Sequence, residues 1–94
     1  MVPIPQYPLY SALLTLEGGL MVKYYLEEEK NWGINASDII QRIKNAKDMG
    51  INLKAMVIIN PGNPTGNVLS RDDIEDIIKI CYENEILILA DEVY

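Results

Sequence analysis

The sequence contains no histidine. That removes Ser-His and Cys-His nucleophile pairs, zinc–histidine sites and histidine general bases from its chemistry. A single cysteine, Cys81, excludes an internal disulfide and a cysteine zinc cluster. Positive charge is also short. Eight Lys and Arg stand against 14 Asp and Glu, a net charge of −6, which argues against nucleic acid or an anionic membrane as a partner held by bulk charge. No apolar run approaches the roughly 20 residues that a membrane helix needs. The opening Met1-Val2-Pro3-Ile4-Pro5-Gln6-Tyr7 has no basic region followed by an apolar stretch, so it does not read as a signal peptide. Chemistry on this chain falls to carboxylates, tyrosines, amides, lysines or a cofactor.

What is present is a core's worth of apolar residues: 49% of 94. A chain of this length is about one domain and can bury roughly two-thirds of its unfolded surface. It stops at Tyr94, directly after its most apolar strand-like run. The expectation is therefore a fragment, residues 1–94, of one larger domain.

Pro3, Pro5 and Pro8 hold the start extended, because proline disfavours the helical region for the residue before it. Pro8 then suits the first turn of a helix whose apolar face is Leu9, Leu13, Leu14 and Leu16, ended by Gly18-Gly19. Residues 20–26, tyrosine-rich with Lys23 as the one charge, read as a strand, and 27–30 as a solvated loop. A helix over 36–49 is predicted from Ile39, Ile40, Ile43 and Ala46, with Asn35 or Ser37 as its cap and Gly50 as its stop. The run Ala55-Met56-Val57-Ile58-Ile59 is continuous rather than alternating, as in parallel strands covered on both faces. Turn chemistry fills 60–67. Ser70 caps a further helix with Ile74, Ile77, Ile78 and Cys81 at i, i+3, i+4 and i+7, and a second continuous apolar run follows at 86–90. This is a βαβ unit of an α/β fold. Cys81 reads as a core thiol, Tyr24, Tyr25 and Trp32 as packing, and the Asn35-Ala36-Ser37 sequon as a helix cap.

In open parallel sheets, ligands bind beyond the carboxyl ends of the strands. Here one such end carries Asn60-Pro61-Gly62-Asn63-Pro64-Thr65-Gly66 and the other Asp91-Glu92-Val93-Tyr94. Amides and a phenol can donate to a phenolate-like oxygen. An aspartate can hold a cationic ring nitrogen. A planar heteroaromatic with both features is pyridoxal phosphate.

The two strings, about twenty-five residues apart across a hydrophobic strand, resemble those of the fold-type I pyridoxal-phosphate-dependent aminotransferases of class I/II, and the resemblance covers the whole chain. Pro3-Ile-Pro-Gln-Tyr-Pro-Leu-Tyr10, Tyr24-Tyr-Leu-Glu-Glu-Glu-Lys-Asn-Trp-Gly33 and Ile74-Glu-Asp-Ile-Ile-Lys79 resemble the alanine aminotransferase branch. The fold implied is the mixed, mostly parallel three-layer α/β sandwich of the large, cofactor-binding domain. The reaction implied moves an amino group from L-alanine to 2-oxoglutarate by a ping-pong route, in a homodimer, with amino-acid and 2-oxo-acid substrates and neither nucleic acid nor membrane as partner.

By the same resemblance, Asp91 pairs the pyridine nitrogen of pyridoxal 5′-phosphate, Asn63 and Tyr94 bond its 3′-oxygen, and Tyr7 stacks on its ring. Tyr10 matches a substrate-side position. The lysine that forms the Schiff base lies beyond Tyr94 in this family, so no catalytic lysine is assigned among Lys23, Lys30, Lys44, Lys47, Lys54 and Lys79. The phosphate-binding turn and the carboxylate-clamping arginine also fall outside, and the isolated segment is expected to be inactive. No metal ligands are assigned. The compartment expected is the cytoplasm, with the mitochondrion as the alternative if a transit peptide lies outside these residues.

Tyrosine and other aromatic aminotransferases and aminocyclopropane-carboxylate synthase share much of this pattern and form the alternative within the fold. Two alternatives come from other classes. Ile86-Leu-Ile-Leu-Ala-Asp91-Glu92 resembles the magnesium-holding strand of ATP-hydrolysing P-loop proteins, but the Gly-x4-Gly-Lys-Ser/Thr loop they need is missing. A non-catalytic interaction module is the other.

Overall fold

The structure, a computed structural model, describes residues 1–6 and 8–93. The elements are β1 (Val2–Ile4), α1 (Leu9–Leu16), β2 (Lys23–Tyr25), α2 (Ala36–Asp48), β3 (Ala55–Ile59), α3 (Arg71–Glu83) and β4 (Leu87–Asp91), with a 3₁₀ turn at Glu28–Lys30. β1 pairs with β2 and β3 with β4, both parallel. Met1 joins the two pairs: its backbone nitrogen donates to the Ala55 carbonyl, and the Val57 N–H donates back to the Met1 carbonyl. The resulting order across the sheet is β2-β1-β3-β4.

That register would next bring the N–H of residue 3 to the Val57 carbonyl. Pro3 has no N–H. The Tyr24 phenol, reaching across from β2, donates to the Val57 carbonyl instead at 2.6 Å. Tyr24 is therefore buried with its hydroxyl satisfied, and burial followed by the nearby Cys81 thiol pushes its ionisation far upward.

Alternation along the strands assigns the faces. Met56 and Ile58 point into a core with Tyr24, Ile39 and Ile43 of α2, and Ile77, Ile80 and Cys81 of α3. Val2, Val57 and Leu89 face the other way and border a cavity of about 550 Å³ under Tyr10, Leu13 and Leu14 of α1. Helices thus lie on both sides of a parallel sheet, as the α/β reading expects. Cys81 is fully buried, with its Sγ 3.7 Å from the Met56 sulfur.

Both long helices begin as their sequences dictate. Asn35 Oδ1 accepts from the Asp38 N–H at 3.2 Å, which decides the cap of α2, and Ser70 Oγ accepts from the Asp73 N–H at 3.1 Å. Other expectations are corrected. The second strand is Lys23–Tyr25, shorter than residues 20–26, and Leu20 is exposed. Ile40 and Ile78 lie outside the buried stripes, and in α3 the buried residues are Ile77, Ile80 and Cys81, so Ile80 takes the place expected for Ile78. β3 is buried but β4 is not. Leu87 is 71% and Leu89 48% exposed, since β4 is the outermost described strand. Within α1 no residue is buried, although its leucines fall on one side.

Candidate functional site

The register of β3 and β4 sets Ile59 beside Asp91, so the two strands end level, and the Asn60 N–H donates to the Asp91 carbonyl at 3.0 Å. The loop that leaves β3 and the carboxylate that ends β4 are therefore fixed to one edge of the sheet. The first turn of α1 reaches the same edge. There the Ala12 N–H and the Ser11 hydroxyl both return to the Pro8 carbonyl, at 3.1 and 3.0 Å. From that turn the Tyr10 phenol donates to Asp91 Oδ2 at 2.6 Å.

Desolvation first, then the bond to Asp91 and its charge, push the Tyr10 phenol up to about 12. It stays protonated, and so remains a donor, throughout the neutral range. Asp91 is half-buried, and among the described residues no lysine or arginine forms an ion pair with it. An open concavity of about 700 Å³ lies against Tyr10, Leu89, Asp91, Glu92 and Val93. A half-buried carboxylate with one neutral donor, no cation and a concavity in front of it suits a ligand that brings its own positive charge.

Asn63 sits in the neighbouring loop, half-buried, and hydrogen bonds brace that loop. Asn60 Oδ1 accepts from the Leu69 N–H at 3.1 Å and closes its base. Inside it, the Gly62 N–H donates to the Asn67 carbonyl at 2.8 Å and the Gly66 N–H to the Gly62 carbonyl at 2.9 Å. Gly66 has φ +71°, the left-handed region that favours glycine. Asn67 is buried; its Nδ2 donates to the Trp32 carbonyl at 2.9 Å, and its Oδ1 accepts from Thr65 Oγ1. A Cβ at Gly62 would run into those same Asn67 and Thr65 oxygens. The peptide bonds before Pro61 and Pro64 are cis.

The sequence-predicted residues are thus distributed as follows. Asp91 and Tyr10 touch, and the Tyr10 hydroxyl, expected on the substrate side, is bonded to Asp91. Asn63 occupies the adjacent strand exit. Tyr7 and Tyr94 lie outside the described residues. Sequence reasoning missed Asn60 and Asn67 as the braces of the Asn63 loop. Asn60 lay within the quoted string, whereas nothing local distinguishes Asn67 from an ordinary turn asparagine.

Comparison with known proteins places the chain in context. Residues 1–94 match the family model described as aminotransferase class I and II. Glutamate–glyoxylate aminotransferase 1 of Arabidopsis thaliana is 52% identical over 94 residues, which are 100% of this chain and 20% of that protein. Alanine aminotransferase 2 of Panicum miliaceum is 51% identical over 92 residues, 98% of this chain and 19% of that protein. Among solved structures, an alanine aminotransferase from Pyrococcus furiosus superposes with a TM-score of 0.82 at 37% identity, covering 99% of this chain and 22% of that one. The chain spans about one fifth of the length of the relatives it matches.

Proposed function

This chain belongs to the aminotransferase class I and II family, and from that premise we propose that it is a segment of the cofactor-binding large domain of a pyridoxal-phosphate-dependent transaminase. The observation that carries the reading is Asp91: a half-buried carboxylate at the carboxyl edge of a parallel sheet, bonded by Tyr10 and facing an open concavity. The donor set fits pyridoxal phosphate. Asp91 would pair the ring nitrogen, Asn63 and Tyr94 would bond the ring's 3′-oxygen, and Tyr7 would lie against the ring face. When bound, the cofactor supplies an electron sink for the pair left as an amino acid loses its α-proton. Asp91 keeps a proton on the ring nitrogen, and this maintains the sink. The braced 60–67 loop holds the Asn63 amide in place without reorganisation during turnover.

The amino-group exchange proposed is between L-alanine and 2-oxoglutarate, by a homodimer acting on amino-acid and 2-oxo-acid substrates. The Arabidopsis relative supports a second reading, in which glutamate is the donor and glyoxylate the acceptor. The compartment proposed is the cytoplasm or the mitochondrion, two alanine aminotransferase relatives being named mitochondrial. Purified full-length protein loaded with pyridoxal phosphate tests these readings. Pyruvate formation from alanine and 2-oxoglutarate supports the first, and glycine formation from glutamate and glyoxylate the second. Transfer in neither pair, with other amino donors active, would refute both.

A further inference from the structure

We propose that Tyr10 is a positioning residue for Asp91: its phenol holds Oδ2 and thereby fixes the carboxylate that meets the ligand's cationic nitrogen with its other oxygen. The inference rests on the reading of Asp91 as the partner of the pyridine nitrogen.

Three observations carry it. The bond is short, 2.6 Å, as charge-assisted O–H···O⁻ bonds are. It comes from the first turn of α1, whose backbone is held by Ala12 and Ser11 on the Pro8 carbonyl, so the donor is delivered from a fixed point. Among the described residues, no other side chain hydrogen-bonds to Asp91, whose backbone is held in the β3–β4 ladder beside Ile59 and accepts from the Asn60 N–H. Without Tyr10 the carboxylate is free to rotate about its own χ angles at the end of an exposed strand.

The arrangement also argues against two other roles. A phenol whose ionisation lies near 12 is badly matched to proton exchange at neutral pH, so Tyr10 is not placed as a general base. Its proton is committed to Asp91, so it cannot at the same time donate to a substrate carboxylate. Donation by Tyr10 draws charge from the carboxylate, and the strength of that bond sets how strongly Asp91 pulls on a proton shared with the ring nitrogen. Tyr10 therefore tunes the cofactor's electronics as well as the geometry.

The experiment uses full-length protein loaded with pyridoxal phosphate carrying ¹⁵N in the ring, and reads the ring-nitrogen resonance. Asp91→Asn is expected to move that resonance strongly toward the unprotonated position. Tyr10→Phe is expected to move it less, and 3-fluorotyrosine at position 10, a stronger donor of nearly the same shape, in the opposite sense to Tyr10→Phe. In Tyr10→Phe, kcat with the amino donor falls roughly tenfold, the size seen when an outer partner of a binding group is removed, while KM stays within about twofold.

An unmoved resonance in Tyr10→Phe, with Asp91→Asn effective, overturns the positioning role and leaves the Asp91 reading intact. A rise in KM with the resonance unmoved assigns Tyr10 to the substrate and equally overturns the proposal. If Asp91→Asn leaves the resonance in place, the reading of Asp91 fails and the inference falls with it. Should Tyr10→Phe not fold, the fluorotyrosine shift decides alone: no shift overturns the proposal.

Discussion

The Tyr24 hydroxyl occupies the hydrogen-bonding slot that Pro3 leaves empty on the Val57 carbonyl, at 2.6 Å. A proline in a central strand removes one rung of the ladder. Here the neighbouring strand restores it with a side chain. Tyr24→Phe keeps the ring and deletes only that rung, leaving a buried carbonyl without a partner. In the full-length protein it is expected to lower unfolding free energy by about 1–3 kcal/mol in denaturant titrations. A loss too small to measure would mean that water or backbone movement satisfies Val57 equally well.

The Tyr10 phenol gives a pH signature. Its ionisation is raised from 10 to about 12, first by desolvation, then by the bond to Asp91 and its charge. A folded value above the unfolded one contributes stability that is fully present below pH 10 and is lost as pH rises toward 12. Alkaline titration of phenolate absorbance, with Tyr10→Phe as the difference reference, is expected to place this group well above an ordinary tyrosine. Asp91→Asn should bring it part of the way back, because desolvation remains. An ordinary value in the parent protein would mean that Tyr10 and Asp91 are not bonded in solution.

Gly62 tests the brace around Asn63. Added bulk there meets the Asn67 and Thr65 side-chain oxygens, and Asn67 cannot retreat without releasing the Trp32 carbonyl. Gly62→Ala is expected to cost about 1–3 kcal/mol of stability and to weaken pyridoxal phosphate binding in a fluorescence titration of the apoprotein. Unchanged affinity despite the clash would separate Asn63 from the cofactor.

The sequence revealed more of the fold than of the site's supports. The paired continuous runs became the parallel β3 and β4, and Asn35 and Ser70 cap helices as their chemistry requires. Ile78 and Ile40 were misplaced because periodicity gives a helix's apolar side but not the direction from which its neighbours approach. The same limit applies to β4, whose composition promises cover that no described element provides. The placement of Asp91 and Asn63 at and beyond the strand ends was legible from the apolar runs that precede them. The Tyr10–Asp91 bond was not, since 81 residues separate the partners and only the packing of α1 against the sheet edge brings them together. Pro3 signalled a missing donor, but nothing in the sequence named Tyr24 as its replacement.

The role proposed for Asp91, that of keeping the cofactor's ring nitrogen protonated, is tested most directly by Asp91→Ala in the full-length, pyridoxal-phosphate-saturated protein. The measurement is the rate of amino transfer from L-alanine at saturating substrate, with the folded state checked by melting temperature. A fall of roughly a hundredfold or more with the fold retained is the predicted result. Transfer at the parent rate would contradict it.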